Sequence, residues 1–289
     1  MAFGRRDGAP LPGATQAGGP PAAGPQIPAA ASNRVQRLAA REQSDRSAFT
    51  SDLSVNEFVL VHKLGFEPLG YVMGTSIYHI GYQFQNWGQS MELEVLSAAM
   101  YHARSLALDR MRSEAHALGA DGIVGVDLQI QRYAWATDEL EFIAQGTAIR
   151  AREPNPAYKL RDGGPFTSDL SGQDFYTLVR AGHFPRAFVF GACVYHVAHQ
   201  SIRQSMRMAG RNMEMPQFTE AAYTARELAM TRMEDEANRF GADGIVGVNT
   251  QVSGHVWGAH ASEFLAVGTG VTSSPESGIP DPTMTLSLE

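Results

Sequence analysis

The chain has 289 residues, 44% hydrophobic and 18% charged, with 23 basic and 30 acidic side chains for a formal net charge of −7, enough chain to bury two ordinary cores. Cys193 is its single cysteine, which excludes a disulfide framework and a thiolate zinc finger and suits a reducing compartment. Residues 1–50 carry a net +3 and the rest −10, so the folded body is too acidic to offer nucleic acid a phosphate-binding surface.

No stretch approaches the ~18 uncharged apolar residues of a membrane span, and the expectation is a soluble, cytoplasmic protein. The chain repeats itself. Ser51-Asp52-Leu53-Ser54 returns as Ser168-Asp169-Leu170-Ser171, and Tyr78-His79 as Tyr195-His196, both 117 residues on. GADGIVGV at Gly119–Val126 returns unchanged at Gly241–Val248, 122 residues on, so the second copy holds a five-residue insertion between His196 and Ala225.

In chain order, residues 1–33 are rich in Pro, Gly and Ala and read as a disordered tail, and residues 34–50 as a charged helical segment with Asn33 as its cap. The first copy, residues 51–152, opens with Ser54 and Glu57 at capping-box spacing, which predicts a short helix ending at Gly65. Leu69 to Tyr82 reads as a strand. Met91 to Leu118 lacks Pro and Gly and carries Ala103, Ala107, Met111 and Ala115 at helical spacing, a long helix whose small-residue stripe allows close packing. Gly119 stops that helix and Asp121-Gly122 turns into a strand with Val124, Val126, Leu128 and Ile130 on one face. A last strand, Glu139 to Ala151, is apolar or small on both faces and so is expected to be covered on both. Residues 153–167 read as a linker, 168–272 as the second copy, and 273–289 as a tail in which Met284, Leu286 and Leu288 alternate with polar residues like a short strand able to join a sheet edge. The fold class is thus α+β, two tandem copies of helix, strand, long helix, strand, strand.

The element order, with A-R-x-L-A, R-M, E-A and GADGIVGV ahead of a strand ending in G-T-A/G, resembles the YbjQ-like (putative heavy-metal-binding) domain family over residues 51–152 and 168–272. The resemblance implies ring assembly, five subunits in members with a single such domain, and a homo-oligomer here. It carries a metal-binding label but no ligand motif that transfers to named positions.

The candidate chemistry is thin. GADGIVGV follows a helix and opens a strand, the reverse of a phosphate loop, so its glycines read as a helix stop and tight turn. Cys193, His196 and His199, with Met206 and Met208 of the insertion, form the metal candidate, donors that suit a soft transition metal. On a strand Cys193 and His199 point one way, roughly 20 Å apart, and His196 the other, so one ion could not hold all three without a bend. The plainer reading is hydrogen-bonded strand histidines and gap-filling methionines. Glu114 and Glu236 follow Arg110 and Arg232 by four residues, the spacing of a helix-surface ion pair. Glu141 and Glu263 read either as proton-transfer groups or, the preferred reading, as partners of Arg104 and Arg226 across a subunit interface, and Trp135 and Trp257 as contact residues. With no duplicated catalytic set, the expectation is a non-enzymatic homo-oligomeric scaffold that meets an unidentified protein partner through its tails; the competing reading is metal-ion binding by the second copy.

Overall fold

Ser54 starts α2 (Val55–Lys63) with both halves of a capping box: its hydroxyl accepts from the Glu57 amide, and Glu57 accepts from the Ser54 amide at 2.8 Å. Gly65, at φ 84°, then turns the chain into β1 (Phe66–His79). The structure is a computed structural model that describes residues 27–42, 49–79, 89–132, 139–160, 162–198, 212, 214–254 and 261–273. α1 (Ala29–Glu42) precedes α2, and the first copy continues through β2 (Met91–Glu92), α3 (Glu94–Ala117), β3 (Gly122–Arg132) and β4 (Glu139–Ala151). β5 (Phe166–Thr167) leads into the second copy, α4 (Gly172–Arg180), β6 (His183–His196), α5 (Pro216–Arg239), β7 (Gly244–Gly254) and β8 (Ala261–Ser273). The α+β class and the duplicated element order are as expected. Among the described residues, no helix is long and apolar enough to cross a membrane.

Three segments differ from the sequence expectation. α1 begins at Ala29, so residues 29–33 belong to a helix and not to a tail; buried Val35 and the Arg34 guanidinium, which donates to the Tyr71 carbonyl, tie it down. β2 precedes the long helix, where a single helix was expected from Met91. Residues 153–167 do more than link: Tyr158, Leu160 and Phe166 are buried in one core with Phe66 and Phe175, and β5 pairs in parallel with β3.

The glycines of GADGIVGV have two separate tasks. Gly119 and Gly241 end the long helices at φ 73° and 70°. Gly125 and Gly247, at φ 65° and 67°, sit where the register of β3 and β7 against β4 and β8 slips, which is a glycine bulge. The bulge turns the strand over, so Val124 packs with Phe66 in one core while Val126 and Leu128 pack with α3 in another. The single apolar face expected for β3 is therefore split.

Each long helix lies almost against a strand. A Cβ on Gly74 would stand 2.0 Å from the Ala107 carbonyl oxygen, and one on Gly191 1.9 Å from that of Ala229. At this distance helix side chains reach the strand backbone. Glu114 accepts from the Met73 amide at 3.0 Å and Arg110 donates to the Thr75 carbonyl at 2.5 Å; Glu236 accepts from Phe190 at 2.7 Å and Arg232 donates to Ala192 at 2.7 Å. The expected ion pairs along the helix are replaced by these bonds, because the free edge groups of β1 and β6 need partners more than exposed charges do.

The sheets run β1-β4-β3-β5 and β2-β6-β8-β7. α3 lies between them, its core shared with Val72 and Phe142 of the first sheet and with Phe190 and Leu265 of the second. The second sheet carries α5 on its other face, through Val189, Cys193 and Ala266. The layers are sheet, α3, sheet, α5. Coverage of the last strand on both faces, expected for both copies, holds for β8 from Leu265 to Val271, with Ser262 and Phe264 half-buried, but Glu141, Ile143 and Gln145 of β4 stay only half-buried.

Gly74→Ala and Gly191→Ala place a methyl on backbone that cannot yield, and each is expected to cost about 3 kcal/mol in urea unfolding. Gly254→Ala, with nothing within 4 Å of the new carbon, should change stability by less than about 0.5 kcal/mol.

Candidate functional site

The most developed polar constellation joins the two copies. β2 adds to β6, pairing Met91 with His196 and Glu92 with Tyr195, and the Leu93 amide donates to the Val194 carbonyl at 2.8 Å. The first turn of α3 continues the edge, Ser97 Oγ accepting from the Val194 amide at 2.9 Å. Glu92 holds Arg232 through both guanidinium nitrogens, at 2.6 and 3.0 Å. Tyr101 lays its ring 4.9 Å from that of Phe190 and donates to Glu236 at 3.2 Å. One turn on, Arg104 lies 2.6 Å from Glu263, both fully buried, with the guanidinium 5.4 Å over the Phe142 ring. That contact is coulombic, its angles falling outside hydrogen-bond geometry.

The second copy reaches back at the opposite corner. β5 and the residues after it line β3, with Ser168 N donating to Ile123 O and Val126 N to Ser168 O, each at 2.9 Å. Gly172 N donates to Glu57 at 3.1 Å, so one carboxylate serves the starts of both α2 and α4. Both copies are also stapled internally. Thr147 Oγ1 accepts from the Asp52 amide at 3.2 Å and donates to the Asp52 carboxylate, and Thr269 and Asp169 repeat this with the amide at 3.1 Å. The repeated Ser-Asp-Leu and Gly-Thr motifs are two ends of one clamp.

Burial sets the electrostatics. Desolvation pushes the Glu236 carboxyl up to about 7 against the opposing Phe190 amide, Arg239 and Tyr101. Desolvation likewise raises Asp52, Asp169 and Glu114. The Cys193 thiol is pushed up to about 12, first by desolvation and then by Glu92, which disfavours its thiolate form.

The sequence candidates fall into three groups. Cys193 packs in one core with Ala225 and Ala229 of α5, while His196, paired with Met91 of β2, is buried and alternates to the other face of β6. His199, Met206 and Met208 lie outside the described residues, as do Trp135, Trp257, Met284, Leu286 and Leu288. Among the described residues, no three His, Cys, Asp or Glu side chains converge on a point that would hold a metal ion. Arg104 and Glu263 do meet, but within one chain and not across subunits, because α3 of the first copy covers the second copy's sheet. Their counterparts Arg226 and Glu141 do not meet: Arg226 is an exposed partner of Glu227 at 2.7 Å, stacked 4.6 Å over Tyr223, and Glu141 is half-buried on β4. Glu92, Ser97 and Tyr101 escaped the sequence reading. Their signal was present in the repeat, where Glu214, Thr219 and Tyr223 stand 122 residues on.

The chain matches the family described as "Putative heavy-metal-binding" (YbjQ) twice, over residues 71–152 and 187–274. It is 48% identical over 254 residues to an encapsulin nanocompartment protein of Mycobacterium tuberculosis, covering 88% of this chain and 95% of that protein. It is 33% identical over 90 residues to a UPF0145 protein of Helicobacter hepaticus, 29% of this chain and 85% of the relative. A UPF0145 protein of Thermus thermophilus is 40% identical over 62 residues, 22% of this chain and 53% of the relative.

Glu263→Ala strands the Arg104 guanidinium and is expected to cost about 3–5 kcal/mol in urea unfolding, whereas Arg104→Met with Glu263→Leu recovers most of that loss. Glu236 binds its proton more tightly in the folded chain than in the unfolded one. Its contribution is therefore complete below pH 4.5 and lost as pH rises through about 7, on the order of 3 kcal/mol in all. Glu236→Gln should flatten the fall of the urea midpoint between pH 5 and pH 8, and an unchanged slope would refute the assignment.

Proposed function

Because this chain belongs to the YbjQ family and carries its domain twice, we propose that it is a non-enzymatic, self-assembling scaffold whose function is the assembly itself. The observation that carries this reading is the junction between the copies. It has the anatomy of a subunit interface, with strands added at two edges, a shared apolar core and a buried charge pair, yet both partners lie in one chain. What the copies hold in common supports it: glycines that admit a helix or a bulge, alanines at the contact, and carboxylates that bond backbone amides. Carboxylates spent on amides are not aimed at a substrate. The name of the Mycobacterium tuberculosis relative, an encapsulin nanocompartment protein, agrees with a closed protein assembly.

A ring of whole chains is the form this reading expects. The basic N-terminal segment and the Met284, Leu286 and Leu288 pattern of the C-terminal tail supply attachments through which it meets a protein partner. Native mass spectrometry of the full-length protein reads subunit number and retained metal in one spectrum. The expected result is a discrete multimer without bound metal. A monomer carrying one metal per chain would overturn the scaffold and direct mutagenesis to Cys193, His196 and His199.

A further inference from the structure

The junction between the copies uses one face of each, and the sequence repeat supplies the same two faces again, unused. The first copy gives α3 and the outer edge of β3; the second gives the face of β6 and β8 and the segment around Phe166. The second copy's own α5 and β7 edge, and the first copy's own β1–β4 face and Phe49 segment, are the matching halves that a single chain cannot bring together. We infer that they bind each other in successive chains, α5 and β7 of one chain docking on the β1–β4 face and the Phe49 segment of the next, with Arg226 of the one meeting Glu141 of the other as Arg104 meets Glu263. This inference rests on the self-assembly reading and names its contact.

Burial follows the mapping residue by residue. Phe190 and Val194, each 0% exposed beneath α3, correspond to Met73 at 40% and Ile77 at 58%. Val126, 4% exposed, corresponds to Val248 at 45%, and Phe166, 0% exposed, to Phe49 at 45%. Leu93, Tyr101 and Arg104 are buried or half-buried, while Met215, Tyr223 and Arg226 are exposed. Positions covered by the internal junction are more exposed where their counterparts face outward, fully so at Met73, Ile77, Val248 and Phe49 and partly so at Glu141, Ile143 and Thr219, which is the signature of a heterologous contact with both ends unfilled.

The open halves also fit chemically. Phe49 stacks on Phe58 at 5.5 Å as Phe166 stacks on Phe175 at 5.9 Å, so the inserting aromatic is already posed. A Cβ on Gly122 would stand 2.1 Å from the Phe166 ring, whereas Gly244 meets nothing within 4 Å, so Phe49 of a neighbouring chain has its seat. A hollow of about 420 Å³ opens beside Gly244, its apolar part lined by Met230, Met233, Ala237, Ile245 and Val248 and its polar part by Glu234, Asn238 and Asp243. In the first copy the matching Leu108, Met111, Ala115, Ile123 and Val126 share their core with Phe188 and Phe190, whose counterparts are Tyr71 and Met73. The polar pairs transfer as well. Thr219 replaces Ser97 as the hydroxyl for a strand amide, that of Ile77, and Glu214 replaces Glu92 opposite Arg110. α1 meets β1 near Gly70 and Tyr71, through Leu38 and Arg34, and Met73 and Ile77 stay exposed.

The step is head to tail, so it repeats until the rotation per chain closes it. The test uses full-length protein, followed by native mass spectrometry and by circular dichroism, which checks that the internal junction still folds. Arg226→Glu and Glu141→Arg, each alone, are expected to weaken association at least about 30-fold, and the two together in one chain should restore the multimer, since each new contact again pairs opposite charges. Thr219→Cys with Ile77→Cys should give an oxidative ladder of chains on a non-reducing gel. A wild-type multimer that ignores both charge reversals and gives no ladder would overturn this contact while leaving the scaffold reading intact. A wild-type monomer would overturn both.

Discussion

One helix holds the molecule together. α3 is packed on two sheets at once, and at its centre the Arg104 guanidinium is wholly removed from water between Glu263 of the second copy and the Phe142 ring of the first. A buried charge pair adds little net stability over apolar side chains of similar size, but separating its members is costly. Any docking of the copies that slides α3 along β6 leaves two naked charges in a dry core. The pair thereby fixes the one register in which Ser97 also meets Val194, Tyr101 meets Glu236 and Glu92 meets Arg232.

The same economy governs the sheet edges. Strands β1 and β6 present backbone amides and carbonyls that a sheet edge leaves unfilled, a liability in any β structure. Here the long helices supply the partners, a glutamate for one amide and an arginine for one carbonyl in each copy, and they can do so only because Gly74 and Gly191 let the helix approach to backbone contact. Buried carboxylates with raised pKa values often mark catalytic sites. Glu114 and Glu236 have another cause: each accepts a strand amide from inside the core, and desolvation there favours its neutral form.

Duplication within one chain has a geometric consequence. Two copies joined through unlike faces always leave one face of each kind exposed, and further copies can fill them without new chemistry. The exposed apolar side chains Met73, Ile77, Tyr223 and Val248 lie on those faces. Their position on surfaces whose internal equivalents are buried or half-buried separates them from the scattered exposed apolar residues of ordinary proteins.

Much of this was legible in the sequence. Local chemistry set the capping box at Ser54, the helix stops at Gly119 and Gly241, the long small-residue helices and the last strands, because each depends on neighbours within a few residues. The repeat fixed the duplicated α+β plan and the family. What it hid was long-range. Gly125 looks like any turn glycine until the strand pairing shows the bulge, residues 153–167 look like a linker until Phe166 is seen in a core drawn from both copies, and Glu114 looks like a surface charge until β1 runs beside it. Equivalent residues of the repeat, Arg104 and Arg226 or Glu263 and Glu141, are indistinguishable in sequence and differ in environment, the first of each pair buried, Arg226 exposed and Glu141 half-buried. Sequence alone determined which elements form and that they form twice. The tertiary structure decided which copy of each face is buried, because burial is a property of what lies across the contact, and one chain can make that contact only once.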